Sequence, residues 1–305
     1  MKSKVLIVII GLISQFALFS RISYSQSRDL VELNNVFIGK GNGLMDSKVS
    51  FNKIDVIVNI PQRLKERKFI SHGLEYGQIN IHYDLTPAIY SPTEVENFNI
   101  LSYKFTYMNF RSNKLPYMII VSPTLASNFE GSINLKDFRF LGMFAFIKRY
   151  KPGKILTYGV AYSNTFGFPA PMPVINYQVS PTPKWQFNLG FPQLNIQHNV
   201  SSKTTLQTGL AITGQNLTLG RDLESINGDG SSSTVPIDNL RINNWAGQVK
   251  WIQQIGDYTK FSIGTGYTFR RSFSFNKGSD EKRKFNLDNN IYIQASLKFG
   301  FYKKR

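Results

Sequence analysis

Three histidines are the first places to look for chemistry: His72, His82 and His198. An imidazole titrates near neutrality and serves as base, acid or metal ligand. No two of the three have metal-ligand spacing. His198 invites a catalytic reading, because Asn199 follows it and Ser201 lies close by. Nucleophilic catalysis needs more: a third group to orient the base, and donors for an oxyanion. Nothing in the local sequence supplies them, so no catalytic residue is assigned and an enzyme is not expected. His82 shares the polar face of an alternating segment with Gln78, Asn80 and Asp84, which predicts a lumen-facing histidine.

Two other clusters resemble ligand sites and fail on spacing. Gly39-Lys40-Gly41-Asn42-Gly43 lacks the G-x-x-x-x-G-K-[ST] order of a phosphate loop, and reads as a turn. Asp222, Glu224, Asn227, Asp229 and Gly230 are hard oxygen donors of the kind calcium takes, but their order departs from the EF-hand loop. They read as an external loop. There is no cysteine, which removes disulfides, thiolate metal sites and a lipoprotein anchor together. No metal and no cofactor is expected.

The basic residues carry the remaining signal. Lys104, Arg139, Lys250, Arg270 and Lys298 fall on the polar faces of alternating segments, against Asp55 and Asp84. Rings of basic side chains favour anions in a pore, so these five are the candidate pore-lining residues. The competing reading, in which the charges pair across a closed lumen, stays open.

Such residues need a sheet to position them. Ile291, Ile293, Ala295, Leu297, Phe299 and Phe301 alternate with Tyr292, Gln294, Ser296, Lys298 and Gly300, the period of a strand with one apolar and one polar face. Segments of about ten residues with this period recur along the chain, the length that crosses a bilayer as a tilted strand. The apolar faces carry aromatics toward their ends, and the polar faces carry Gly, Ser, Thr, Asn and Gln. Fourteen segments are read, from 31–39 to 286–301. Twelve remain if 31–39 is unpaired and the region around Phe191-Pro192 is one irregular strand. The predicted fold is all-β: a single antiparallel transmembrane β-barrel of 12–14 strands. Counting back from the last strand puts 87–97, 127–136, 219–239 and 274–285 in external loops. The short connections fall on the periplasmic side, with 62–72 a long, basic exception.

The N-terminus has Lys2 and Lys4, an apolar stretch from Val5 to Phe19, and small residues at Ser23 and Ser25. This predicts a cleaved signal peptide over 1–25 and a barrel domain over 26–305. The formal charge of the whole chain is +17. Nucleic acid is excluded as a partner by export, which leaves outer-membrane lipids and lipopolysaccharide, together with the assembly machinery that inserts barrels.

Gly167-Phe168-Pro169-Ala170-Pro171, Tyr177, Trp185-Gln186-Phe187 and Gly190-Phe191-Pro192 form a Pro-rich corner followed by W-x-F-x-L-G-F-P. This pattern resembles a family of uncharacterised outer-membrane β-barrel proteins of Bacteroidetes. The resemblance implies a fold and an outer-membrane location in a Gram-negative bacterium, and no site residue. Three functions follow as expectations: a passive pore for small solutes with mild anion preference, a non-conducting accessory barrel that binds a partner or lipid through its loops, and a lipid-active enzyme using His198. Oligomeric state is not legible in the sequence.

Overall fold

The computed structural model describes residues 29–44, 47–84, 95–111, 115–220, 223–226, 232–235, 237–277 and 280–302. The proposed leader, most of the acidic 222–230 segment and the C-terminal Lys303-Lys304-Arg305 lie outside the described residues. The strands are β1 (Asp29–Leu44), β2 (Ser47–Arg63), β3 (Lys68–Tyr83), β4 (Asn97–Asn109), β5 (Tyr117–Ser127), β6 (Phe138–Lys151), β7 (Lys154–Ser163), β8 (Ala170–Thr182) and β9 (Trp185–Phe191). They continue with β10 (Leu194–Asn199), β11 (Thr204–Thr218), β12 (Leu223–Ile226), β13 (Ser232–Val235), β14 (Asn239–Ile255), β15 (Thr259–Lys277), β16 (Asp280–Asn286) and β17 (Ile291–Gly300).

Consecutive strands from β1 to β11 pair antiparallel. β11 then pairs with β14, β14 with β15, β15 with β17, and β17 with β1. This closes a fourteen-stranded antiparallel barrel, the upper end of the expected range. The doubtful pair around Pro192 is two strands, β9 and β10. Both ends of the barrel meet at one rim, where Asp29 lies opposite Gly300. We call this the proximal rim; the short turns cluster there, and the long connections lie at the distal rim.

Three expected connections are corrected. Residues 62–72 are no long turn: β2 runs to Arg63 and β3 starts at Lys68, so four residues remain, closed by the Leu64 amide donating to the Lys68 carbonyl at 2.8 Å. Residues 274–285 are mostly strand, because the end of β15 pairs with β16. Residues 219–239 contain the β12–β13 hairpin.

In the four-residue turn, Glu66 and Arg67 both have left-handed φ, 57° and 59°. Lys68 hydrogen-bonds the Glu66 carboxyl and Arg111 faces it, holding it below the usual carboxylate range. A side chain in this conformation costs about 1 kcal/mol or more that glycine avoids. Arg67→Gly is therefore expected to stabilise the barrel by roughly that amount. An unmoved or lowered urea midpoint would contradict this.

Several of the long strands invert their polarity partway along. In β3, Leu74 and Tyr76 are exposed on the outer face, while Ile79, Ile81 and Tyr83 are buried on the inner one. In β15, Ile263, Tyr267 and Phe269 point out, and Phe273 and Phe275 are buried inside. The inversion marks where the outer surroundings change. Over the proximal stretch the outer face is apolar and suits lipid. Beyond it the outer face is polar and suits water, and the apolar side chains turn inward to pack on each other. Aromatic rings edge the apolar belt. Tyr107, Tyr117, Phe144, Phe146 and Tyr158 form a proximal run with centroid separations from 5.0 to 6.1 Å, as interfacial girdles do.

The distal half of the lumen is consequently filled. Ile38, Phe51, Ile79, Phe98, Leu217, Ile242, Phe273 and Phe275 form one buried apolar core, joined by Leu219, Leu223, Ile237 and Leu287 from the distal connections. Arg271 is buried at its edge. It donates to the carbonyls of Gly39 at 3.1 Å, Asp288 at 2.9 Å and Val49 at 3.2 Å. Gly41 permits this approach, since a Cβ there would stand 2.5 Å from the guanidinium.

Candidate functional site

The wall of the barrel is uneven. β9 has 7 residues and β10 has 6, whereas the neighbouring β11 has 15. β8 meets β9 only from Ile175 onward, and β11 meets β10 only up to Gly209. Above the hairpin tip at Pro192 and Gln193 the wall therefore lacks two strands.

The segment after β7 crosses this gap. Asn243 donates its side-chain amide to the Phe166 carbonyl at 3.2 Å. The Phe166 ring stacks between Phe191 at 5.6 Å and Trp245 at 6.0 Å. Gly214 makes the crossing possible, because a Cβ there would lie 2.1 Å from the Asn164 carbonyl oxygen and 2.4 Å from that of Thr165. Higher still, Thr218 of β11 pairs directly with Ser127 of β5. Arg139 secures that junction from β6, donating to Thr218 Oγ1 at 2.6 Å and Asn239 Oδ1 at 3.0 Å. We call the break in strand pairing between hairpin tip and crossing segment, where Asn164, Thr165, Pro192 and Gln193 line one cavity, the side window.

Three cavities lie in series beneath the distal core. The upper chamber, roughly 630 Å³, is lined by Lys53, Asp55, Glu75, Ser102, Ser122, Thr124, Gln248 and Lys250, and it reaches the window at Asn164, Thr165, Pro192 and Gln193. A lower chamber of roughly 410 Å³ shares Asp55, Lys250 and Gln294 with it, and adds Glu32, Lys260 and Lys298. A vestibule of roughly 500 Å³ at the proximal rim shares Lys260 with the lower chamber and is edged by Lys184, Lys203 and Tyr302.

Most inward charges are paired. Lys53 meets Asp55 at 2.8 Å and Glu75 at 3.7 Å. Lys298 meets Glu32 at 2.9 Å and Asp29 at 3.1 Å, and the Tyr302 hydroxyl donates to Asp29 at 2.5 Å. Burial and the adjacent Asp29 and Glu32 carboxylates push the Tyr302 hydroxyl pKa up. Lys104 and Lys250 differ: among the described residues neither has a carboxylate within ion-pairing distance. Lys104 is exposed and Lys250 half-buried on the inner wall, and a cation without a carboxylate partner is available to an anionic guest.

The chain belongs to the family of domain of unknown function DUF6268. The family model, described as "Domain of unknown function (DUF6268)", matches residues 45–300. Among curated proteins none matches the chain. Solved structures with a similar shape include a TodX monoaromatic hydrocarbon channel deltaS2S3 mutant, at 10% identity and TM-score 0.43 over 92% of this chain and 91% of that one. Another is an outer membrane channel from Pseudomonas putida F1, at 12% identity and TM-score 0.42 over 91% and 99% of the two chains. LpxR from Salmonella typhimurium follows at 8% identity and TM-score 0.37 over 89% and 100%. The likeness is one of barrel shape, and no solute or activity passes across it.

The five basic residues expected on the lumen wall separate in this family member. Lys104, Lys250 and Lys298 project inward. Arg139 also points inward but is buried as a tether at the β5–β11 junction, away from the chambers. Arg270 is exposed on the outer face. A bulge in β15 pairs Trp245 with Arg270 and the next residue, Ala246, with Thr268, so one extra residue shifts the alternation and Arg271 takes the inward place. Asp84 and His82 are likewise on the outer side, beyond the polarity inversion, where Asp84 meets Lys40 at 2.5 Å. Lys40 draws the Asp84 carboxyl below the usual carboxylate range.

His198, Asn199 and Ser201 are not brought together. His198 packs on the outer-face Trp185 ring at 4.2 Å, Asn199 takes the opposite face, and Ser201 bonds within its turn to Thr204. Sequence reading missed Glu32, Lys53, Glu75 and Lys260. Lys53 shares its inward face with Phe51 and Ile57 because β2 passes from polar chamber to apolar core, and a mixed face carries no clean alternation.

Proposed function

We propose that the protein is a passive conduit of the outer membrane of a Gram-negative bacterium, inserted by the barrel-assembly machinery after removal of its leader. The route leaves the lumen through the side window and does not run along the barrel axis. The observation that carries this reading is the series of cavities from proximal vestibule to window, combined with a distal lumen packed shut. Lys104 and Lys250, without a carboxylate partner among the described residues, favour passage of anions. The proximal rim then faces the periplasm, and the polar distal rim meets lipopolysaccharide.

The chain has no cysteine, so a single introduced thiol is a unique handle. Gln193→Cys in planar bilayers is expected to conduct like the parent and to lose conductance when a bulky thiol reagent is added. Lys250→Glu is expected to move selectivity toward cations. Full conductance after labelling at Gln193 would remove the side route. The filled distal half also favours a second reading, a non-conducting accessory barrel. Absence of conductance steps from correctly folded parent and variants alike would select it.

A further inference from the structure

A further cavity lies on the outer wall beside the side window. It holds roughly 620 Å³ and is lined by Leu189, Leu194, Ile196, Leu210, Val249 and Thr265, together with Gly247. Leu189, Leu194, Leu210 and Val249 are exposed, so this groove belongs to the apolar belt that faces lipid. Trp245, Gly247, Val249 and Trp251 share the outer face of β14, spaced by about 7 Å along the strand. A Cβ at Gly247 would meet nothing within 4 Å, so the face opens between the two indoles.

The groove and the upper chamber share four lining residues, Leu194, Asn195, Leu210 and Gln248. The register accounts for this. Pairing of β10 with β11 ends at Asn195 and Gly209, and Leu194 and Leu210 would be the next couple. They are not paired with each other, so the wall parts between them at the lower edge of the window. That is how two side chains exposed outside also line the lumen. Lys250 lines the same upper chamber. It stands one inward position proximal to Gln248, about 7 Å along β14, and Gln248 is the register partner of Gly209. The chamber's carboxylates, Asp55 and Glu75, are engaged by Lys53 at 2.8 and 3.7 Å. An apolar slot outside therefore leads to a cation inside that has no carboxylate within ion-pairing distance among the described residues.

We propose that the parted wall seats a single-chain anionic phospholipid, its acyl chain in the outer groove and its phosphodiester inside the upper chamber beside Lys250. The single groove accepts a single chain, and the single cation matches one negative charge. Ser122, Thr124 and Gln248 in the same chamber offer the hydrogen bonds that a glycerophosphate head uses and a bare carboxylate does not need. Such a ligand reaches the slot sideways from the membrane. The site shares its window with the conduit proposed above, and it holds its ligand whether or not solutes pass.

The three tryptophans of the chain are Trp185, Trp245 and Trp251. They stand on β9 and β14, the strands that border the groove, so intrinsic fluorescence reports on a chain lying in it. The probe is a lysophosphatidylglycerol brominated midway along its chain, titrated into the whole barrel in phosphatidylcholine nanodiscs. The equally brominated monoacylglycerol and fatty acid are run in parallel. Saturable quenching is expected, with half-saturation by the lysophospholipid about tenfold below that of the monoacylglycerol. Lys250→Gln is expected to abolish that difference and Lys250→Arg to retain it. Gly247→Leu places its side chain in open space, so the barrel folds as before. It is expected to raise half-saturation for the lysophospholipid about tenfold. Quenching that never saturates, indifference to Gly247→Leu, or tighter binding of the fatty acid or the monoacylglycerol would overturn the proposal. Conductance without saturable quenching defeats this inference alone. Saturable quenching without conductance defeats only the conduit.

Discussion

Arg271→Met is expected to be the most damaging single substitution, lowering stability by about 3–5 kcal/mol. The guanidinium is buried and serves the carbonyls of Gly39, Val49 and Asp288 together. These come from β1, β2 and the connection before β17, so one side chain ties three segments of the distal half. Methionine fills similar volume but offers no donor. Each carbonyl left unpaired in a dry interior costs about 1–3 kcal/mol. Arg271→Lys keeps a charge yet cannot reproduce the planar fork, so it is expected to fall between parent and Met variant. The measurement is urea unfolding of the refolded barrel, with heat-modifiable gel migration as a check on closure. A midpoint for Arg271→Met within error of the parent would show that the three carbonyls find other partners.

The second large effect concerns the distal core. Phe51 and Phe273 are both fully buried there. Truncating either to alanine is expected to cost about 3–5 kcal/mol, the loss of transfer energy plus the cavity left behind. Phe51→Ser with Phe273→Ser goes further, because it places hydroxyls beside new space and lets water enter. If the core is the axial stopper, the double variant is expected to show new conductance that labelling at Gln193→Cys no longer blocks. Conductance that stays fully sensitive to that label would mean the distal core does not close the axial path. The two measurements are separable, since Arg271→Met reports on closure of the sheet and the serine pair reports on what fills it.

Strand number and closure were legible because alternation is a local property. A residue's parity on its strand decides which face it takes, and lipid outside the barrel demands an unbroken apolar outer face over about ten residues. Legibility failed wherever a strand outran that belt. His82 and Asp84 read as luminal because they share a face with polar Gln78 and Asn80, but that face lies outside, above the inversion. Arg270 was misplaced by a single bulge residue, which no pattern in the sequence announces. Lys53 was hidden by Phe51 and Ile57 on its own face. The short β9 and β10 were glimpsed in the Pro-rich corner, although their consequence, a window in the wall, was not.

The sequence by itself determined an all-β barrel, its approximate strand order, the absence of thiol chemistry and a strongly basic chain. These follow from period, composition and count, which need no partner in space. Only the tertiary structure decided which lumen cations stand without a carboxylate among the described residues, that the distal lumen is packed, and that four methionines from β4, β5, β6 and β8 turn to the inner wall. Those facts depend on register between strands and on residues far apart in the chain meeting across the lumen. Pairing distances and packing are set by closure of the sheet, so they come into being only when β17 meets β1.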